Sequence, residues 1–244
     1  MTNVSERPAI GVIVPSSNRV VERVTRELVA TLPTLDVCFA RIPYFGDGQG
    51  QPAGRYDEAP FLAAAEMLAH AKVGVICWNA TRGSSLGFAP DRALAARVTN
   101  HTSLPTVTTA LAAIDALRLL RVRRIALVTH GPPAQGAVFI TRFREQGIET
   151  SAELHLGFSD NFAAANADPA RVIDFAKASA ARGDAEAILI WSTNLHGSAF
   201  AAELEADIGM PVIDSAALGV WAALRALRLD TRLAARGGRL FSAT

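Results

Sequence analysis

Short apolar runs rich in β-branched residues alternate along this chain with longer Ala/Leu/Arg-rich segments whose apolar positions recur at three- and four-residue intervals. The first type suits a buried strand and the second an amphipathic helix, because side chains alternate across a strand but return to one helix face about every 3.6 residues. The pattern predicts strands over 9–14, 37–42, 73–78, 106–107, 125–129, 149–156, 187–191 and 212–213. It predicts helices in most of the gaps: from Asn18 to a stop at Pro33, then over 60–71, 110–120, 134–146, 169–181, 198–206 and 216–227. The alternation implies an α/β protein in which βα units feed parallel sheets covered by helices.

The chain also resembles itself. PTVTTA at 105–110 is echoed by PVIDSA at 211–216, each followed by a helix containing ALR. VGVICWNATRGS at 73–84 is echoed by AILIWSTNLHGS at 187–198, with Trp78 set against Trp191 and, leaving Asn79 unmatched, Ala80 against Ser192 and Thr81 against Thr193. AIGVIVPSSN is echoed by RIALVTHGPP, each a strand running into a small turn. Three echoes in one order imply duplication at domain scale. The expected architecture is two pseudo-symmetric lobes with parallel-sheet cores and an interlobe cleft. The first lobe comprises residues 1–108 plus 213–244, and the second 109–212.

Composition narrows the function. Among 244 residues, Lys+Arg number 24 and Asp+Glu 23, a net charge of +1 without a block of like charge, which argues against a nucleic-acid partner. No run approaches the roughly 20 apolar residues of a membrane span, and the N-terminus lacks signal-peptide form, so no membrane association and a cytoplasmic location are expected. The two cysteines, Cys38 and Cys77, lie in apolar runs and are expected to be buried, reduced thiols. The histidines at 70, 101, 130, 155 and 196 have no ligand spacing, so no metal site is predicted. Homo-oligomerisation is left open.

Ligands of open parallel sheets sit beyond the carboxyl ends of the strands, where loops and helix N-termini present donors. The turns expected there are Ser16-Ser17-Asn18, Asn79-Ala80-Thr81-Arg82-Gly83-Ser84, Thr108-Thr109 and Ser192-Thr193-Asn194. Facing one another across a cleft, they would suit a small carboxylate, which helix N-termini favour by about 0.3–1 kcal/mol each. The alternative for any one of these residues is a plain helix cap.

These segments carry a family resemblance over nearly the whole chain. GVIVPSSN, ARIPY, WNATRGSSLG, PTVTTALAAIDAL, FSDN and WSTNLHG, in this order, resemble the maleate isomerase and arylmalonate decarboxylase branch of the aspartate/glutamate racemase superfamily. The resemblance implies a cofactor-independent isomerase, racemase or decarboxylase acting on a small carboxylic acid of maleate or arylmalonate type. It implies substrate-binding roles for Asn18, Thr81, Ser84, Asn161, Thr193 and Asn194. It also places Ala80 and Ser192 where the family carries its first and second cleft cysteines; arylmalonate decarboxylases keep only the second. Neither thiol is present. A thiolate is reachable because a cysteine pKa of about 8.5 can be lowered toward neutrality, whereas an unassisted serine is a far weaker nucleophile and acid.

Where isomerases carry a tyrosine after the fifth strand, this chain has His130. Ala80 is thus catalytically inert, with Ser192, His130 and His196 as candidates for a non-thiol mechanism. Ser192 and His196 could pair, with Asp160 as an orienting acid. Cys77 could serve only if its strand ended early. Trp78 and Trp191 either shape an aryl pocket or fill the core. The alternatives to an active enzyme are a non-catalytic carboxylate-binding protein and an active-site-substituted variant of an enzyme.

Overall fold

A computed structural model describes residues 7–45 and 49–243; the first six residues, part of the segment considered above as a leader, lie outside the described residues. Eight strands form two four-stranded parallel sheets of identical order. The first is β2(Asp36–Ile42)-β1(Ala9–Pro15)-β3(Val75–Trp78)-β4(Thr106–Thr108), and the second is β6(Glu149–His155)-β5(Arg124–Thr129)-β7(Ala187–Ile190)-β8(Val212–Asp214). Each predicted strand is found, with ends shifted by up to two residues. The central strands are buried along almost their whole length and read as continuous apolar runs, while the edge strands β2 and β6 are half-buried. Cys38, on edge strand β2, is accordingly half-buried and not fully buried as expected; Cys77, on β3, is fully buried.

Ten α-helices occur among the described residues. α1(Val20–Val29) buries Val20, Val21, Val24 and Leu28 on one face. It ends four residues before Pro33, and the chain then turns through a Leu32 N–H to Val29 carbonyl bond. α2(Glu58–His70) follows β2, and the short α3(Arg82–Leu86) and longer α4(Ala89–Thr102) follow β3. α5(Thr109–Leu119), α6(Pro133–Arg144), α7(Pro169–Arg182), α8(Ala201–Ile208) and α9(Ser215–Ala226) fall where periodicity placed helices, and α10(Arg239–Ser242) ends the chain. α5 and α9 start directly at the ends of β4 and β8. Thr108 caps α5 by accepting from Leu111 N–H, and Asp214 caps α9 by accepting from Ala217 N–H at 2.8 Å.

The lobes share one apolar core, which runs from Val12, Val75 and Cys77 of the first sheet to Leu127, Leu189 and Trp191 of the second. Between them lies α9, whose residues from Ser215 through Leu224 are all buried, as expected of a helix apolar all round. Gly219 lets this helix cross the turn after β3 closely: a Cβ there would collide with the Asn79 amide. That amide donates to the Ala216 carbonyl at 2.9 Å, and Asn79 Oδ1 accepts from the Thr109 hydroxyl at 2.8 Å.

The strand registers correct one detail of the internal repeat. Ile13 pairs with Trp78 and Trp78 with Thr108; in the second sheet Val128 pairs with Ile190 and Ile190 with Asp214. Trp78 therefore corresponds to Ile190, and Asn79 to Trp191, while Ala80 still corresponds to Ser192. A one-residue offset in a strand reverses the face, and the two indoles lie in different cores. Trp78 packs at 4.8 Å on Phe61 outside the first sheet, whereas Trp191 packs at 5.1 Å on Phe143 between the lobes.

Candidate functional site

A cleft of about 300 Å³ opens at the carboxyl ends of both sheets. Pro15, Tyr44, Ala80, Thr81 and Arg82 line it from the first lobe, and His130, Pro132, Gln135, Phe158, Ser159, Asn161, Ser192, Thr193 and Asn194 from the second. A larger groove of about 590 Å³ lies between α5 and α9, but it has apolar walls such as Leu111, Leu119 and Trp221 and lies away from the signature turns. The strand-end cleft is the one that the polar turns of both lobes surround.

Seven of the residues singled out in the sequence meet in this cleft: Ala80, Thr81, His130, Asn161, Ser192, Thr193 and Asn194. Asn18, Ser84 and His196 are not among its lining residues. Asn18 is fully buried, with its amide donating to the Thr193 carbonyl at 3.2 Å and hydroxyl at 3.0 Å, and its Oδ1 accepting from Val21 N–H at 3.0 Å. Ser84 accepts from the Trp191 indole N–H at 2.8 Å and donates to the Thr81 carbonyl at 2.7 Å. These contacts join the turns of the two lobes beneath the cleft.

Ser192 and His196 do not bond to each other. Ser192 Oγ accepts from Asn194 N–H at 3.3 Å, while His196 Nε2 lies 3.0 Å from a Glu27 carboxylate oxygen on α1. Asp160 Oδ1 accepts from Ala163 N–H at 2.7 Å, capping a local turn. Ser192 thus has no base in hydrogen-bond reach, which is what activates a serine. Cys77 is no substitute: its thiol bonds the Gly219 carbonyl at 3.4 Å, and burial, with the nearby Asp91 carboxylate, pushes its pKa up. Among the described residues no group of three His, Cys, Asp or Glu could hold a metal ion. Both tryptophans are buried core residues outside the cleft lining.

His130 is the one imidazole among the lining side chains, which include no thiol and no carboxylate. It is buried, and its Nδ1 is enclosed without a partner. Burial lowers its pKa below the ordinary value, partly offset by a hydrogen bond with Asn161. Its position at the end of β5 follows from the fold: register pairs Val128 with Ile190 and Thr129 with His155, leaving His130 as the first residue of the turn. The pseudo-equivalent residue at the end of β1, Pro15, lines the opposite wall.

Of the other lining residues, Tyr44, Arg82, Gln135 and Ser159 carry polar groups and were not singled out from the sequence. Arg82 lay within the quoted turn, and its signal was being the one charged residue among the polar strand-end turns. Its guanidinium lies 5.3 Å from the Tyr44 ring centre and 5.8 Å from that of Tyr56. One terminal nitrogen donates to the Pro52 carbonyl at 2.6 Å and the Arg55 carbonyl at 3.1 Å.

With this geometry in view, comparison with known proteins is decisive. Residues 59–241 match the model of the arylmalonate decarboxylase family. The chain belongs to that family. A maleate isomerase of Pseudomonas putida is 27% identical over 96% of this chain and 97% of its own length. The arylmalonate decarboxylase of Bordetella bronchiseptica is 28% identical over 96% of each. A crystal structure of a cysteine-to-alanine variant of a maleate isomerase from Pseudomonas putida S16, with maleate, shares 27% identity and a TM-score of 0.86, covering 98% of this chain and 99% of that one. The family member described here therefore has full-length relatives built on the same two-sheet frame, with Ala80 and Ser192 at the two pseudo-equivalent strand ends that face its cleft.

Proposed function

We propose that this family member is a cofactor-independent enzyme acting on a small carboxylic acid of maleate or arylmalonate type, with His130 as its acid–base group. The carrying observation is the convergence of Thr81, Asn161, Thr193 and Asn194 around a cleft whose lining includes one imidazole and no thiol. Of the reactions found among its relatives, decarboxylation asks least of such a site. The bond to one carboxylate breaks, carbon dioxide leaves, and the electron pair stays as an enediolate on the remaining carboxylate. Hydroxyl and amide groups of the strand-end turns suit that oxyanion, and the His130 imidazolium supplies one proton to carbon. Addition of a nucleophile to a double bond, as a covalent isomerisation requires, has less support because Ser192 lacks a base.

The same feature favours a second reading, a carboxylate-binding protein without turnover. The deciding experiment follows maleate, malonates and 2-substituted malonates by NMR in deuterated buffer, with the wild type and His130→Gln. Loss of carbon dioxide or deuterium uptake at carbon that vanishes in the variant supports the enzyme. Saturable binding with no turnover supports the binder, and no binding of any acid overturns both.

A further inference from the structure

Between Thr81 and Gly83, in the turn after β3, the chain holds an arginine. Arg82 is half-buried in the cleft wall, and its Nε is enclosed without a partner. Its other contacts are two backbone carbonyls, the Tyr44 hydroxyl at 3.4 Å, and the faces of Tyr44 and Tyr56. No ion pair to Arg82 occurs among the described residues, whereas other arginines have one, such as Arg97 with Glu58 and Arg142 with Glu145. A cation withdrawn from water is stabilised by an opposite charge and destabilised by an apolar neighbour. The carbonyls and π faces hold the guanidinium in place without neutralising it. Opposite it stand neutral groups only: Ser192, Thr193, Asn194, Asn161, and His130, whose burial disfavours the imidazolium.

We infer that Arg82 is the specificity-determining residue of this cleft, and that it selects an acid whose substituent carries an anionic group of its own, in preference to an aryl or alkyl group. The inference rests on the proposed function, since it assumes that the turns hold the reacting carboxylate. It assigns the remaining end of the ligand: a carboxyalkyl arm directed to the first lobe, toward Arg82 and Tyr44. Discrimination has two sources, attraction of the arm to the guanidinium and the cost of covering the guanidinium with a phenyl ring or branched alkyl chain.

The test measures binding of carboxymethylmalonate, isobutylmalonate and phenylmalonate by titration calorimetry, the first two being matched in shape. The wild type is expected to prefer the carboxymethyl compound by about tenfold or more, the range of a charge-assisted contact. Arg82→Gln should reduce that preference to within about threefold, chiefly by weakening the carboxymethyl compound, and Arg82→Lys should restore part of it. If Arg82 only pins the segment carrying Pro52 and Arg55, Arg82→Gln weakens all three acids alike and the inference falls. A wild type that binds all three equally overturns it while leaving the proposed function standing, and this arm holds even if Arg82→Gln fails to fold. A wild type that binds none overturns the proposed function and the inference together.

Discussion

Asn18, in the turn after β1, gives both amide hydrogens to Thr193, in the turn after β7. The bonds, at 3.2 and 3.0 Å, span 175 residues and tie the lobes together under the cleft. Because Oδ1 also caps α1 at Val21 N–H, Asn18→Ala removes three buried hydrogen bonds at once. It should destabilise the protein by about 2–4 kcal/mol, given the cost of stranding buried partners. Denaturant unfolding measures this, and an unchanged midpoint would contradict it. Affinity for a small acid should fall less than about tenfold, since the amide does not line the cleft. A larger fall with unchanged stability would mean that the amide turns to the ligand on binding.

Ser84 makes the same point on the other side. It satisfies the Trp191 indole, so Ser84→Ala strands a buried N–H and should cost about 1–3 kcal/mol of stability with little change in acid affinity. Thermal unfolding and calorimetry on the same sample separate the two effects.

The pH dependence of turnover follows from His130. Its pKa in the fold lies below the ordinary 6.5, so the imidazole is mostly neutral at neutral pH. A proton donor must be imidazolium, so the rate of decarboxylation should rise as pH falls below 6.5 and level off beneath the depressed pKa. A rate that falls over that interval would identify His130 as an acceptor or a bystander, and His130→Gln should abolish the titration.

Much of this fold was legible in the chain. The central strands β1, β3, β5 and β7 announce themselves because parallel strands buried on both faces read as uninterrupted apolar runs, and the edge strands were legible more from their place between helical segments. The same reading did not single out α4, whose buried face is only Leu94, Ala95, Val98 and a carboxylate, Asp91, too weak a stripe to signal a helix. The repeat was visible, but matching indole to indole shifted it by one residue, since identity of side chain says nothing of which face it occupies. At the site, polar residues in a strand-end turn look alike in sequence whether they face a ligand or a partner in the other lobe. Asn18 and Ser84 do the latter, and only the packing of one lobe on the other decides it. Arg82 went unnoticed because hydroxyls and amides, not cations, were the groups sought.

Two buried carboxylates give stability an uncommon pH dependence. Asp91, which accepts from the Tyr56 and Thr108 hydroxyls, and Asp214, whose Oδ2 has no side-chain partner, are both pushed up from 3.8 to about 6 by burial. The folded state therefore holds protons that the unfolded chain releases, and the stability these groups contribute is complete below pH 3.8 and lost as pH rises through about 6. Asp214→Asn keeps an acceptor for Ala217 N–H and removes one of the two titrations. Its stability relative to wild type should thus improve between about pH 4 and pH 6 and stay level above. A constant difference across that range would show that Asp214 does not titrate there.

The last expectation concerns the ends of β3 and β7, which carry no thiol in this chain. Ala80 and Ser192 correspond through the strand registers, and both line the cleft while almost wholly buried, at 5% and 1% exposure. A sulfur at either place would look into the space that the turns surround, and Ser192→Cys changes the side chain by one atom. Positioning groups can contribute several orders of magnitude to a rate once a reactive group is present. Ser192→Cys should therefore raise turnover of a 2-substituted malonate, where one proton donor is enough. Ala80→Cys together with Ser192→Cys should be needed for isomerisation of maleate, where one sulfur adds to carbon and a second group delivers the proton. NMR turnover of the four combinations, each checked for fold and acid binding, makes the comparison. If the double variant folds, binds acid and stays inert on both substrates, thiols at these positions do not limit this cleft. His130, after β5, would then be the next group to change, and His130→Tyr on the double-cysteine background the variant that tests it.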